Sequence, residues 1–390
     1  MNFFSKTIGY FECVLIVLLT SIYYYLTFIV HTDIELHAQF IKDYAYGNKP
    51  FQVNFLYYLT VYLFSFFSCK TSSLLVISVY VLSAITFAKY YIVKIIFIKE
   101  TQNSKSNIAV STSLLSFLLL FSFSLPSYLV GTNYNYLLRF SPNVWHNSTT
   151  IFVMPFVILL FWLSIKQITE YKRKRLYILT ILIILNVLVK PSFIFVYVLV
   201  YPVFLFNKYY FNKLFWINVI PIIISIILIV IEYLLIFNSS DQSNDESTVV
   251  IDFFYYYKVW GGAKNTLDIL LMLVSALISS FLFPIVLLLK NRQILKERMV
   301  QFSLLAMIVS FLISITLCET GARSFDGNFI WQNYMVSFLL FFVCTLQLLK
   351  LTNNTSRNIK AYTVEIIALL FHFFALIYYF SKIITTETYF

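Results

Sequence analysis

Charged side chains are scarce in this chain. Its 28 Lys and Arg and 17 Asp and Glu make up 12% of 390 residues, roughly half the share a soluble domain carries. A soluble globular fold is excluded on that ground. Glycine is nearly as rare, at seven residues, which leaves few of the small-residue contacts that transporter helices favour. The four cysteines, Cys13, Cys69, Cys318 and Cys344, lie in or beside apolar runs without metal-ligand spacing. They read as small hydrophobic side chains and not as a disulfide framework. No soluble domain, linker or short-period repeat stands out.

Apolar residues fill the space: 60% of the chain is hydrophobic and 20% aromatic. A helix needs about 20 apolar residues to cross the hydrocarbon of a bilayer. Runs of that order fall at 11–30, 53–69, 74–98, 110–125, 148–165, 176–190, 193–206, 214–237, 266–289, 301–318, 333–349 and 361–380. They are continuous where a membrane β-barrel would alternate. The expected fold is all-α, a polytopic transmembrane helical bundle of about 10–12 spans, with residues 1–390 forming one membrane domain. The first run is too long for a signal-peptide core and lacks a small-x-small cleavage site, so it reads as a retained span. The net charge of +11 implies no nucleic-acid partner, because basic residues gather in cytoplasmic loops of membrane proteins without binding anything.

The basic loops set the expected orientation. Lys166 to Arg175 and Lys290 to Arg298 are the most basic, and Lys350, Arg357 and Lys360 fit the same cytoplasmic side. Loops 126–147, 238–265 and 319–332 then face outward. Loop 31–52 is outside if the first ten residues are cytoplasmic, yet three runs separate it from loop 126–147. Three is odd, so either one segment between 53 and 125 does not cross or a break is hidden there.

A charged residue near the bilayer centre costs about 2.5–3.5 kcal/mol on insertion scales, so each one needs a reason. Four places stand out, all expected at outer span ends. After the first span comes His31-Thr32-Asp33-Ile34-Glu35-Leu36-His37. Asp33 and Glu35 converge only if the backbone is extended or turning, since a helix would set them about 200° apart. A converging pair can hold a divalent cation, or one acid can act as base beside the other. An ordinary solvated loop would read the same way, and the His31 to His37 spacing is poor for zinc. Leu36, Phe40, Ile41 and Tyr44 recur at helical spacing, predicting a juxtamembrane amphipathic helix over 36–46 that stops at Gly47 to Pro50.

The second place is Gly131 to Asn147, where Arg139, Asn143, Trp145, His146 and Asn147 mix aromatics with amides. Aromatic faces stack on sugar C–H groups while amides and Arg bond hydroxyls or phosphate; a decorated interfacial loop is the plainer reading. Third, Lys190 stands before Pro191 where topology favours no positive charge. It either snorkels or meets a phosphate. Fourth, Glu319 to Trp331 is a compact loop holding Glu319, Arg323, Asp326 and Asn328. Arg323 there can bind phosphate or pair with Glu319. Glu365 and His372 share one face of the last span and can form a buried polar pair or serve helix packing.

This layout resembles the GT-C superfamily of integral-membrane glycosyltransferases. The resemblance rests on Asp33-Ile34-Glu35 after the first span, the 36–46 helix with its Gly47 to Pro50 turn, Asn143 to Asn147 opening a span, the basic turn Lys172 to Arg175, and Lys190-Pro191, in that order. It covers the first half of the chain, and the Gly-Gln of the mannosyltransferase-like branches is absent. It implies an inverting enzyme that moves a sugar from a polyprenyl-phosphate donor to a glycan, lipid or protein acceptor. The setting implied is a bacterial inner (plasma) membrane, with the active site outward. Asp33 would be the general base and Glu35 would orient it or share a divalent ion, Mg or Mn. Arg139, Lys190 or Arg323 would hold the departing phosphate. His37, Asn143, Trp145, His146, Asn147, Glu319 and Asn328 would complete the substrate site. Two other readings stand beside it: a polysaccharide polymerase of the O-antigen type, for which loop 238–265 lacks arginine, and a transporter or flippase of lipid-linked glycans that performs no chemistry.

Overall fold

The computed structural model describes residues 9–30, 32–101, 108–126, 136–237, 247–353 and 359–387. His31, Arg357 and the acidic stretch 238–246 lie outside them. In chain order the helices are α1 (Tyr10–Phe28), α2 (Asp33–Ala45), α3 (Leu56–Phe64), α4 (Thr71–Glu100), α5 (Ile108–Leu120), α6 (Ser148–Thr169), α7 (Arg173–Val189), α8 (Ser192–Tyr209), α9 (Lys213–Phe237), α10 (Tyr255–Val259), α11 (Thr266–Lys290), α12 (Arg298–Thr316), α13 (Trp331–Asn353) and α14 (Thr363–Thr386). The short strands β1 (Val249–Ile251) and β2 (Leu317–Glu319) pair antiparallel, Val250 opposite Cys318. The chain is an all-α, multi-pass membrane bundle. Among the described residues nine helices are long and apolar enough to cross a bilayer: α1, α4, α6, α8, α9, α11, α12, α13 and α14.

Helix α13 is the axis, buried along nearly its whole length, and α6 is buried almost as completely. Helix α9 is the opposite case, with Ile220, Ile223, Ile227 and Val230 all exposed, as expected of a helix bathed in lipid. Polar contacts fix which ends meet. Helix α1 runs antiparallel to α4, with Glu12 on Lys94 at one end and Tyr23 Oη 2.7 Å from Thr86 Oγ1 farther along. Glu100 at the far end of α4 takes Lys166 at 2.7 Å and the Trp162 indole at 2.8 Å. The bundle therefore has a basic end, marked by Lys166, and an opposite end, marked by Lys190.

The odd number of runs is resolved by α3. Nine residues at 1.5 Å each span about 13 Å, under half of a hydrocarbon core of about 30 Å. The apolar run 53–69 breaks at Phe66 and Phe67, both at positive φ (54° and 57°), and Phe67 N closes on Tyr62 O at 3.0 Å. Asn54, just before α3, donates to Val187 O near the Lys190 end at 2.8 Å. Both ends of α3 stay on that side.

A second irregularity lies between α5 and α6. Residues 121–126 and 139–147 form no regular secondary structure, yet nearly all of them are buried. Backbone at that depth needs partners, and a kink in α11 supplies them. Phe281 leaves helical geometry three residues before Pro284, so Phe283 N no longer bonds Ser279 O. Leu125 N takes Ser279 O at 2.8 Å, and Phe283 N donates to His372 Nε2 at 3.3 Å. His372 Nδ1 in turn donates to Phe123 O at 2.6 Å, which fixes a neutral tautomer. His372 thus braces the re-entrant segment. Of the two readings for Glu365 and His372, the direct pair is not formed: Glu365 sits with Lys290 (3.0 Å) and Asn291 (3.1 Å).

Candidate functional site

Helix α2 begins at Asp33, not after Glu35. Thr32 caps it, its Oγ1 accepting from Ile34 N at 3.5 Å, and Thr32-x-x-Glu35 is the spacing of a capping box. The expected convergence of Asp33 and Glu35 is therefore corrected. A helix turns them about 200° apart, with Asp33 half-buried and Glu35 exposed. They do not form one chelating pair, and among the described residues no group of three or more His, Cys, Asp or Glu is placed to hold a metal ion. Two faces of α2 are distinguished by burial against the bundle. Ile34, His37, Ala38 and Ile41 are buried, while Leu36 is 54% exposed and Tyr44 40%.

Asn147 is the N-cap of α6, and its amide is used at both ends. Oδ1 accepts from Thr150 N (3.1 Å), Thr150 Oγ1 (2.7 Å) and Lys190 Nζ (3.3 Å), while Nδ2 donates to Asp33 Oδ2 at 3.2 Å. Lys190 arrives at the end of α7, extended because Pro191 disfavours helical geometry before it. It is 9% exposed. Its Nζ also donates to Thr149 Oγ1 at 3.3 Å and lies 4.6 Å from the centre of the Trp331 ring. The centre of the His146 imidazole is 5.8 Å from that of the same ring, tilted by 50°. His37, one turn beyond Asp33, bonds Tyr58 Oη through Nδ1 at 2.8 Å.

The turn before α13 completes this end. Glu319 accepts from Arg323 Nε (3.1 Å) and Asn328 Nδ2 (2.6 Å), and Asp326 lies 3.7 Å from Arg323. Asp326 O takes the Trp331 indole N–H at 3.0 Å, holding that ring against Lys190. Gly327 makes the turn possible, since it has φ +62° and a Cβ there would meet Trp260 at 2.4 Å.

Burial dominates the electrostatics. It drives Lys190 down to about 7, opposed by the charges of Asp33, Asp326 and Glu319 and reinforced by Arg323. It lowers His37 to about 4 against Asp33, with Lys190 and His146 acting the same way as burial. His146 falls to about 4 through burial and Lys190, again opposed by Asp33. Glu319 and Asp326 are raised by burial, an effect Arg323 partly offsets in both. The result is two neutral imidazoles and a lysine poised near neutrality, all sensing the Asp33 carboxylate.

Seven of the residues expected from sequence gather at this end: Asp33, His37, His146, Asn147, Lys190, Glu319 and Arg323, with Asn328 tied to Glu319. Three do not join them. Arg139 donates to Leu125 O (3.1 Å) and Ser279 Oγ (3.0 Å), bracing the re-entrant chain on the kinked α11. Asn143 donates to Leu119 O and Ser122 O and accepts from Lys89. Trp145 packs against Tyr23, Phe121 and Phe380 in the core. Sequence reasoning missed Trp331 as a partner of Lys190 and Tyr58 as a partner of His37; a lone aromatic at a helix start carries no distinguishing signal. No protein-family model matches the chain, and no curated protein matches it.

Proposed function

We propose that this protein is a membrane glycosyltransferase of the GT-C type, moving a sugar from a polyprenyl-phosphate donor to a glycan, lipid or protein acceptor at the Lys190 end, on the extracytoplasmic face. One observation carries the reading: a carboxylate and a buried amine from distant segments are joined through a single amide, Asn147, beneath an aromatic ring. Acid for proton removal, cation for phosphate and aromatic face for sugar are what such a transfer requires.

In this scheme Asp33 takes the proton of the acceptor hydroxyl as its oxygen bonds the anomeric carbon. The bond from that carbon to the carrier phosphate breaks, and the electron pair leaves with the phosphate. A single displacement inverts the centre. Lys190 meets the charge developing on the phosphate, and Arg323 adds to it from the turn before α13. Trp331 offers its face to the sugar. His37 and His146, kept neutral by burial, can bond hydroxyls without adding charge. Glu35 is a helix-start acid whose exposed side chain is turned away from Asp33. An apolar groove of about 380 Å³, walled by Leu18, Tyr25, Phe117, Phe121, Phe373 and Phe380, suits an isoprenoid tail. Phe121 and Phe380 also pack on Trp145, the neighbour of His146.

Purified protein in nanodiscs, offered a panel of polyprenyl-phosphate sugars with acceptor lipids and glycans, tests the proposal by mass spectrometry. A glycosylated acceptor and free polyprenyl phosphate are expected. Movement of lipid-linked glycan across vesicles with no new covalent product would replace the proposal with a flippase.

A further inference from the structure

Helix α3 does not cross the membrane, and what it delivers to the Lys190 end is Tyr58. That side chain is buried among the rings of Tyr57 (5.5 Å between centres), Phe40 (6.2 Å) and Phe51 (6.4 Å). Its hydroxyl meets His37 Nδ1 at 2.8 Å, and among the described residues Oη has no other hydrogen-bond partner. The scheme for sugar transfer gives Tyr58 no part.

Either atom of that contact can supply the shared hydrogen. Were Nδ1 to donate, the phenolic hydrogen of Tyr58 would be left without a protein acceptor in a buried place. With Tyr58 donating, the phenolic hydrogen and the Nδ1 lone pair are both used. The phenol is also the better donor of the two, and the imidazole lone pair the better acceptor. Burial, with Tyr57 and Asp326 adding to it, keeps the phenol from ionising, and burial keeps the His37 ring neutral. The one ring hydrogen therefore sits on Nε2, on the edge turned away from Tyr58.

Asp33 stands one helical turn before His37, at the i and i+4 places of α2, where side chains are neighbours with about 5–6 Å between Cβ atoms. After burial, the Asp33 charge has the largest effect on His37. A carboxylate only accepts hydrogen bonds, and an imidazole in this form only donates through Nε2. A group bonded by both must accept on one side and donate on the other. A hydroxyl does so; an ionised phosphate oxygen or an ammonium does not.

We propose that Tyr58 is a positioning residue: by donating to His37 Nδ1 it fixes His37 as a donor, so that Asp33 and His37 together take an alcohol hydroxyl with its hydrogen turned to Asp33. This rests on the glycosyltransferase reading and gives its acceptor hydroxyl one orientation. With the proton on Nδ1 instead, Nε2 would present a lone pair and compete with Asp33 for the same hydrogen. No proton passes through His37. The hydroxyl proton goes to Asp33 as the oxygen bonds the anomeric carbon.

The test begins without substrate. The chain has four histidines, so nitrogen-15 histidine labelling of the protein in nanodiscs at pH 7 gives few signals, and His37→Gln identifies those of His37 by their loss. Wild type should show a bare Nδ1 and a protonated Nε2 at His37, and in Tyr58→Phe the two tautomers should coexist. Turnover is then read with the acceptor that the nanodisc panel glycosylates. Tyr58→Phe should lose about tenfold in kcat/KM, the scale of one hydrogen bond. His37→Gln keeps a carbonyl for Tyr58 and an N–H donor in the place of Nε2. His37→Asn reaches only the place of Nδ1, and should lose about tenfold more than His37→Gln. A proton on Nδ1 in wild type would overturn the proposal, as would an unchanged tautomer in Tyr58→Phe or equal losses in the Gln and Asn variants. If Tyr58→Phe does not fold, the wild-type spectrum and the two His37 variants still decide the matter. The two readings fail separately. A wrong tautomer beside normal turnover sinks only the role of Tyr58, whereas the absence of any glycosylated product sinks the transferase and leaves the spectra to decide the tautomer.

Discussion

Lys190 and Asp33 are linked by one side chain: Nζ donates to Asn147 Oδ1 at 3.3 Å, and Asn147 Nδ2 donates to Asp33 Oδ2 at 3.2 Å. Thr150 N also donates to Oδ1, so the amide has only one orientation that satisfies all its partners. A direct ion pair would bring the two charges together and leave each less available. The interposed amide keeps the two charges apart while fixing both. The cap of α6 and the geometry of the site are thereby one structure.

Asn147 substitutions should separate those two roles. Asn147→Ala removes the cap and should cost about 1 kcal/mol, a few degrees in Tm. Asn147→Asp keeps an oxygen for Thr150 N and should retain most of that stability, but it sets a like charge beside Asp33. Transfer should fall at least tenfold in both. Paired unfolding and turnover measurements check this, and wild-type turnover in either variant would remove the amide from the site.

The two acids of α2 should behave differently. Asp33→Asn should lower kcat by roughly 10²–10⁴, the range for loss of a general base, while the protein stays inserted and folded. Glu35→Gln should change kcat less than about threefold, since the helix turns that exposed side chain away from Asp33. Equal losses at both positions would restore a paired-carboxylate mechanism.

The spans are legible in the sequence because a continuous apolar run of that length has little use except to cross a bilayer. Lys190 is legible because a cation at that end of a span lacks a topological reason. Thr32-x-x-Glu35 is equally visible as a helix start, but two acids beside a span end point just as readily to chelation. Other features are beyond local pattern. The run 53–69 is apolar enough to cross, and only the left-handed turn at Phe66 and Phe67 stops it. Arg139 and Lys190 look alike in sequence. What distinguishes them is a kink in α11, 140 residues beyond Arg139, whose Ser279 takes the guanidinium.

That left-handed turn makes a topological prediction. Single cysteines at Lys49 and Lys70, in a background with the four native cysteines replaced, should label from the same side of sealed vesicles with an impermeant maleimide. A cysteine at Lys174 should label only from the other side. Opposite labelling of positions 49 and 70 would mean that α3 crosses after all, which about 13 Å of helix cannot do without thinning the bilayer.

The last prediction concerns pH. Burial brings Lys190 from an ordinary 10.5 to about 7, and the form that can meet a phosphate is the ammonium. It is present below pH 7 and lost above it, so kcat/KM should fall about tenfold per unit on the alkaline side, with an apparent pKa near 7. A bound phosphate favours the charged form, so the limb in kcat should lie at higher pH than the limb in kcat/KM. Stability has the opposite sign. Between pH 7 and 10.5 the unfolded chain holds a proton on this lysine that the folded chain has released. Unfolding free energy therefore rises with pH across that window, and the penalty of burying the charge is present in full only below 7. Activity and stability should thus diverge as pH increases, a pattern that general alkaline denaturation would not produce. Lys190→Arg keeps its charge throughout and should lose the limb near 7 even if its overall rate is lower. Lys190→Met should be inactive at every pH. A pH profile in Lys190→Arg that keeps the wild-type limb would assign it to another group, and Lys190 would be left as a packing residue under Trp331.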